Sequence, residues 1–171
     1  LHGTYLLAGA SLCGGKAYAL LEKFFREFVK EATGQEKPLY KTLEKLAGDG
    51  KASCTERENR QKLQIETTFD GTRVHPEQTG SITNLSTDNF TPAAFVYGTL
   101  EGMSRELYQM YQTIQNGTGM QIKRMIGSGN GLRKNPVLCE IVEEMFGARL
   151  ALAECEEEAA TGAALSSMQQ D

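Results

Sequence analysis

Apolar and polar positions alternate along this chain with two different periods, and the switches between them outline the elements. Thr4–Leu12 is apolar almost throughout and predicts a buried strand. From Ala17 to Val29 the apolar positions are Ala17, Leu20, Leu21, Phe24, Phe25 and Phe28. Steps of three and four predict a helix whose stripe faces the core, ended by Gly34. Leu39, Tyr40, Leu43 and Leu46 predict a shorter helix over Pro38–Ala47, closed by Gly48-Asp49-Gly50. Lys51–Gln61 is polar without a period and reads as a solvated linker. Leu63, Ile65, Thr67 and Phe69 alternate with polar residues, the mark of a half-buried strand. Phe69–Gly80 is dense in glycine and proline and reads as a shaped loop. Its Arg73 either holds an anion or is tied to a carboxylate or loop carbonyls. The tie is the expectation, and His75 is assigned no role.

Thr91-Pro92 opens the longest helix, which runs to about Asn116 with Gly117 beyond it. Phe95, Leu100, Met103, Leu107, Met110, Tyr111 and Ile114 are expected in the core, and Glu101, Arg105 and Glu106 in water. Gly98 and Gly102 lie one turn apart, which implies close approach of another backbone. Ala148–Ala153 predicts a short strand and Glu156–Met168 an alanine-rich helix. Glu156, Glu157 and Glu158 complement the positive end of that helix, and its alanines with Gly162 offer a smooth packing face. The predicted order is strand–helix–helix–strand–helix–strand–helix–strand–helix, an α/β layout.

Between these lies Met120–Phe146, which the rest of the chain is organised around. Met120–Ile126 reads as a strand, Gly127-Ser128-Gly129-Asn130-Gly131 as a glycine turn, and Pro136–Phe146 as a helix. Pro136 suits the first helical position, Asn135 the N-cap, and Gly147 the C-terminal stop. Glycines between strand and helix let backbone approach a ligand, and free N–H groups at a helix start attract phosphate. The alternative is a plain turn, since a lone Gly-x-Gly-x-Gly is weakly specific. Two nucleotide motifs fail here: Leu132 stands where Gly-x-Gly-x-x-Gly needs glycine, and in Gly9–Lys16 an extra Gly15 precedes the lysine, with Ala17 in place of the hydroxyl. Gly14-Gly15 could likewise meet a ligand or form only a tight turn.

The 171 residues suit one domain with a real core, and 40% hydrophobic with 23% charged residues fits a globular class. A net charge of -4 argues against nonspecific nucleic-acid binding. No apolar run approaches a membrane span. Cys13, Cys54, Cys139 and Cys155 lie far apart with no Cys-x-x-Cys, which fits free thiols in a reduced, cytoplasmic setting. With His2 and His75 the only histidines, a histidine-based metal site is not expected, and no residue is assigned to a metal. The chain opens at Leu1 on a strand-like run, so it is expected to enter a fold part-way, incomplete at its N-terminal side.

Five stretches together resemble the C-terminal domain of the FGGY carbohydrate kinases. They are Gly9-Ala-Ser-Leu-Cys-Gly-Gly15, Phe69-x-Gly71-x-Arg73-x-x-Pro76-x-x-x-Gly80, Leu100-Glu-Gly102, Gly127–Pro136 and Glu157–Leu165. They stand in the family's order and span nearly the whole chain. Tyr97 departs from the pattern, since the family often has an arginine there. The resemblance implies an actin-like ATPase, ribonuclease-H-like α/β fold, with ATP and Mg²⁺ as cofactors. It implies that Gly129, Asn130 and Gly131 line the nucleotide, that Asn135 sits near the adenine, and that Gly14 and Gly15 approach from a facing helix. Asn135 then serves as both cap and contact only if its amide is shared or the helix starts a little later.

The implied activity is phosphorylation of a ketose, with a small-molecule sugar and a nucleotide as partners. The Gly-Ser-Gly-Asn-Gly-Leu-x-x-Asn-Pro form of the loop is most similar to the branch acting on sedoheptulose, giving its 7-phosphate. Branches acting on xylulose, glycerol or gluconate, and a noncatalytic nucleotide- or partner-binding module, are the alternatives. Asp49, Asp70 and Asp88 match no catalytic motif of the family, so no catalytic base is assigned. The sugar-binding and catalytic residues are expected upstream of Leu1. The chain is therefore expected to be inactive alone, and its oligomeric state is open.

Overall fold

Thr91 has extended backbone, and its hydroxyl accepts from the Ala94 N–H at 3.2 Å, so the longest helix starts where the Thr-Pro signal puts it. The computed structural model describes residues 6–55, 62–154 and 158–168. The described elements run α1 (Gly15–Thr33), α2 (Tyr40–Thr55), β1 (Gln64–Glu66), β2 (Ser81–Thr83), α3 (Pro92–Thr118), β3 (Met125–Gly127), α4 (Asn130–Arg133), α5 (Pro136–Phe146), β4 (Leu150–Leu152) and α6 (Glu158–Met168). They fall into two compact units, Leu1–Gln121 and Ile122–Asp171.

In the first unit β1 and β2 pair antiparallel with Ile65 opposite Ile82. Leu43 and Ala47 of α2, Ile65 of β1, and Val96 and Leu100 of α3 are all buried and form the core. Two glycine contacts set the layers. A Cβ on Gly50 would meet the Ala93 carbonyl and lie 2.7 Å from the Tyr97 Cβ, so α2 lies backbone-close on α3. Gly98 and Gly102 meet β1, as their one-turn spacing predicts: a Cβ on Gly102 would run into the Ile65 carbonyl oxygen, and one on Gly98 would lie 3.3 Å from the Ile65 side chain. Tyr97, the departure from the family pattern, is a buried member of this core.

Helix α1 stops at Gly34, whose φ of 70° is left-handed and whose N–H returns to the Lys30 carbonyl. Its apolar stripe faces the core only in part, with Ala17 buried and Leu21 and Phe25 half-buried. Phe24 and Phe28 are 65% and 70% exposed, and Leu20 is exposed too. The buried positions are Ala17 and Glu22. Glu22 accepts the Leu39 N–H at 3.0 Å and the Arg26 guanidinium at 3.3 Å, and this pairing is what lets a carboxylate be buried. An apolar period tells which face is greasy, not whether this unit holds anything to cover it.

Other expectations are corrected in the same way. Residues 6–12 carry no strand and are mostly exposed, and neither described sheet includes this run; residues 1–5 lie outside the described ones. Helix α2 runs through Gly48 and Gly50 to Thr55, since Gly50 is spent on contact with α3 rather than on a stop. Five linker positions, 51–55, are thus helical, and 56–61 lie outside the described residues. Helix α3 ends at left-handed Gly119 rather than Gly117. Glu106 is buried, not in water, while Leu107 is exposed. Arg105 reaches Glu66 at 3.4 Å and Glu101 at 3.6 Å, so these charges lie half-covered against β1. Arg73 is exposed and has no hydrogen bond or ion pair among the described residues, which corrects its expected tie. The loop holds itself by backbone instead: Thr72 and Gln78 donate to the His75 carbonyl, and the His75 N–H donates to the Thr72 hydroxyl.

In the second unit β3 and β4 pair in parallel, with Ile126 opposite Ala151. The crossover between them is α4 and α5, and α5 buries Leu138, Ile141 and Val142. Strand β3 begins at Met125, so residues 120–124, expected in the strand, lie outside it. Helix α6 leaves Ala160, Gly162, Ala163 and Ala164 exposed instead of packed. Glu156 and Glu157 lie outside the described residues.

Candidate functional site

The predicted contact residues divide by unit. Gly14 and Gly15 belong to the first, and Gly129, Asn130, Gly131 and Asn135 to the second.

The second group is one continuous turn at the carboxyl end of β3. Gly127 is buried, and its carbonyl accepts the Ala153 N–H at 2.8 Å, which extends the parallel pairing to the lip of the loop. A Cβ there would come within 2.7 Å of the Leu132 side chain and 3.0 Å of Leu150. The first glycine is thus a packing residue. The next two differ. Gly129 has φ of 90° and ψ of 157°, a conformation L side chains rarely adopt, and it starts α4. A Cβ added to Gly129 or Gly131 meets nothing within 4 Å. The space a side chain would take at each is open, and the sequence supplies none to fill it. Asn130 is exposed between them. Helix α4, a single turn the period could not reveal, carries the chain from this edge to α5.

Asn135 follows, buried, with its Oδ1 accepting the Leu138 N–H at 3.1 Å. It is the N-cap that its place before Pro136 predicts, and α5 starts at Pro136, not later. The amide oxygen is therefore committed, and Nδ2 remains as a donor. The Cys139 thiol lies 3.3 Å from the Leu132 carbonyl and ties α5 back to α4. Burial, then the Glu143 carboxylate, pushes this thiol above its ordinary value, so it stays protonated.

The first group sits at the start of α1. Gly14 has φ of 42° and ψ of -128°, again outside the range of other residues. Its N–H donates to the Ser11 hydroxyl at 2.8 Å, and that hydroxyl donates to Glu106 Oε2 at 2.8 Å. A Cβ on Gly15 would meet nothing within 4 Å. Lys16 pairs with Asp70 at 2.8 Å and joins the start of α1 to the loop after β1. The hydrogen bond to Asp70 and its charge raise the Lys16 ammonium above its ordinary value. Cys13 is buried beneath, and burial followed by the charge of Asp70 pushes its thiol up.

A groove of about 890 Å³ in the second unit is lined by Lys123, Arg124, Glu143 and Arg149 among others. It lies at the amino end of β3, and none of the predicted residues lines it. Open α/β sheets bind ligands beyond the carboxyl ends of their strands, so the glycine turn and not the groove is the candidate site. Among the described residues no group of three or more His, Cys, Asp or Glu side chains could hold a metal ion. Nor, among them, is any helix long and apolar enough to cross a membrane.

The family model for the C-terminal domain of the FGGY family of carbohydrate kinases matches residues 1–169. Sedoheptulokinase of Mus musculus is 26% identical over 170 residues, covering 98% of this chain and 34% of that protein. Among solved structures, xylulose kinase from Rhodospirillum rubrum matches with a TM-score of 0.62 at 20% identity, over 81% of this chain and 25% of the other. Gluconate kinase from Lactobacillus acidophilus gives 0.61 at 15% identity, over 81% and 26%. Glycerol kinase of Plasmodium falciparum, solved with ADP, gives 0.60 at 15% identity, over the same shares. At such identities the structural likeness shows the fold, the actin-like ATPase fold of these kinases. The chain spans about a third of the length of the curated relative it matches.

Proposed function

The chain belongs to the FGGY family of carbohydrate kinases, as a C-terminal domain, and on that premise we propose that it supplies the adenosine-binding part of an ATP-dependent kinase acting on a ketose. The observation that carries this reading is the turn after β3, where the space a Cβ would fill at Gly129 and Gly131 is open and the buried Asn135 follows. Gly129, Asn130 and Gly131 line the nucleotide, and Asn135, its oxygen occupied by the cap, offers Nδ2 to a ring nitrogen of adenine. Within the first unit, Gly14 and Gly15 are the proposed nucleotide contacts. The ADP held by the glycerol kinase of Plasmodium falciparum supports a nucleotide as ligand.

Phosphoryl transfer depends on positioning a sugar hydroxyl in line with the γ-phosphoryl group and on stabilising the charge that develops. ATP brings Mg²⁺ on its phosphates, and no residue of this chain is assigned to the metal or to proton removal. What these residues do is hold the adenosine end still, so that the far end of the nucleotide is aimed. Loss of ATP affinity with sugar affinity intact, on filling the space at Gly131, tests the assignment.

Sedoheptulose is the proposed substrate, phosphorylated to the 7-phosphate. Support comes from the 26% identity to a sedoheptulokinase along nearly the whole chain and from the form of the glycine loop. The structural likeness to xylulose, glycerol and gluconate kinases keeps those sugars in the test. Assay of the full-length protein on a panel of ketoses and polyols decides, and preference for another sugar moves it to that branch. Absence of transfer to any of them, with nucleotide binding retained, favours a noncatalytic module. We place the protein in the cytoplasm, in keeping with the Cys13 and Cys139 thiols, which form no disulfide among the described residues.

A further inference from the structure

We propose that Glu106 is a positioning residue for the nucleotide, acting through Ser11 on the Gly14–Gly15 turn. The inference rests on the reading of that turn as a nucleotide contact. Glu106 projects from the middle of α3, is buried, and is the acceptor for a hydroxyl 95 residues away in sequence. A serine hydroxyl has one proton and two lone pairs. Here the proton goes to Glu106 Oε2 at 2.8 Å, and a lone pair receives the Gly14 N–H at 2.8 Å. The carboxylate therefore fixes the rotation of the hydroxyl, and the hydroxyl holds the Cys13–Gly14 amide plane by which the chain enters the turn.

That plane needs fixing. Gly14 has φ of 42° and ψ of -128°, in a region where glycine has many neighbouring conformations available. Its own N–H is used up by Ser11, so a ligand at this turn is met beyond it, where a Cβ on Gly15 would find no atom within 4 Å. The Gly14 carbonyl accepts the Ala17 N–H at 3.1 Å and holds the Gly14–Gly15 plane to the helix, while Ser11 and, behind it, Glu106 set where the chain enters that turn.

The test uses the full-length protein and four variants beside Gly131→Val as the reference for the nucleotide reading. Ser11→Ala and Glu106→Ala are each expected to raise the KM for ATP about tenfold, with the sugar KM and kcat close to wild type. The double variant should be no worse than either single one, because both remove the same relay. Glu106→Gln keeps a carbonyl acceptor for Ser11 and should restore most of the ATP affinity. A residue that only holds α3 in the fold would lower stability without this split between ATP and sugar. If Glu106→Ala is too unstable to assay, Ser11→Ala alone carries the test. Normal ATP kinetics in the alanine variants, alongside an impaired Gly131→Val, would overturn the relay and leave the nucleotide reading standing. Normal ATP kinetics in all of them, Gly131→Val included, would end both.

Discussion

Gly102 of α3 faces the main-chain carbonyl oxygen of Ile65 in β1 so closely that a Cβ has no place between them. The same imaginary Cβ would lie 3.1 Å from the Thr67 methyl group. Helix and strand thus meet backbone to backbone, and the obstacle is a carbonyl, which cannot rotate away. Alanine in a helix interior is ordinarily better than glycine by about 1 kcal/mol. At this position the clash outweighs that gain. Gly102→Ala is expected to destabilise the protein by about 1–3 kcal/mol, the cost of overpacking a filled core. Gly117, in the same helix with nothing within 4 Å of its added Cβ, is the control. Gly117→Ala should be neutral or stabilising by up to about 1 kcal/mol. Denaturant midpoints of both variants check the sign of each.

Filling the open space at Gly131 separates ligand contact from folding. A valine there meets no protein atom at its Cβ, and Gly131, unlike Gly129, is not among the positive-φ glycines. Gly131→Val should therefore fold, and should raise the KM for ATP about tenfold or more with the sugar KM unchanged, the equivalent of losing about 1.4 kcal/mol of nucleotide binding. Steady-state kinetics in both substrates, with circular dichroism to establish folding, decide it. ATP kinetics like wild type would take this loop out of the site.

Asn135 carries two roles that substitution can split. Serine caps a helix about as well as asparagine. Asn135→Ser should keep stability while losing the Nδ2 donor, and so weaken ADP binding. Asn135→Ala should lose both, with stability down by about 0.5–2 kcal/mol. Calorimetric ADP titration beside thermal unfolding distinguishes them. Full ADP affinity in the serine variant would leave Asn135 as a cap only.

The turn between α1 and α2 has its own pH signature. Glu36 accepts from Lys30 at 2.8 Å and from Arg26, and Lys30 first, then Arg26, hold its carboxyl below the usual value of 4.5. A carboxyl depressed in the folded state stabilises that state above its unfolded pKa. The contribution is lost as pH falls through the folded pKa. Wild type should exceed Glu36→Gln in stability at neutral pH, and the difference should close as the pH drops below 4.5. The group is exposed and screened by salt, so the effect is small and should shrink further at high ionic strength. A difference that stayed constant down to strongly acid pH would show that the ion pairs are not its source.

The 171-residue chain by itself is expected to show no sugar phosphorylation, because nucleotide, metal, base and sugar must share one geometry. It should also be less stable than the full-length protein, since Leu6, Leu7, Phe24 and Phe28 stand exposed. Weak nucleotide binding should survive, because the turn from Gly127 to Asn135 is a local feature. Purified chain, shown folded by circular dichroism, titrated with ATP and assayed on sedoheptulose, gives the answer. Turnover would mean that a base lies within these residues.

The sequence by itself determined whatever is settled within one turn of chain. Thr91-Pro92 and Asn135-Pro136 start helices, and Gly34 and Gly147 stop them in the left-handed conformation. A cap and its partner lie three residues apart, so no distant neighbour has to be known. The alternation Leu63, Ile65, Thr67, Phe69 gave buried positions at its first three members, with Phe69 exposed beyond the strand, and the spacing of Gly98 and Gly102 announced a close neighbour. The order of five motifs identified the family, because relatives keep such an order along the chain. Tertiary structure alone decided what each face met. Gly50 looks like a helix stop in sequence and is instead the groove in which α3 lies. Glu106 looks like a solvated charge and is buried against Ser11, 95 residues away. Leu20, Phe24 and Phe28 of the α1 stripe look like core and stand open. The one-turn α4 between Gly129 and Lys134 is too short to have a period. Periodicity reports which side of an element is apolar; whether that side is covered depends on surfaces from elsewhere in the chain, and no local pattern encodes them.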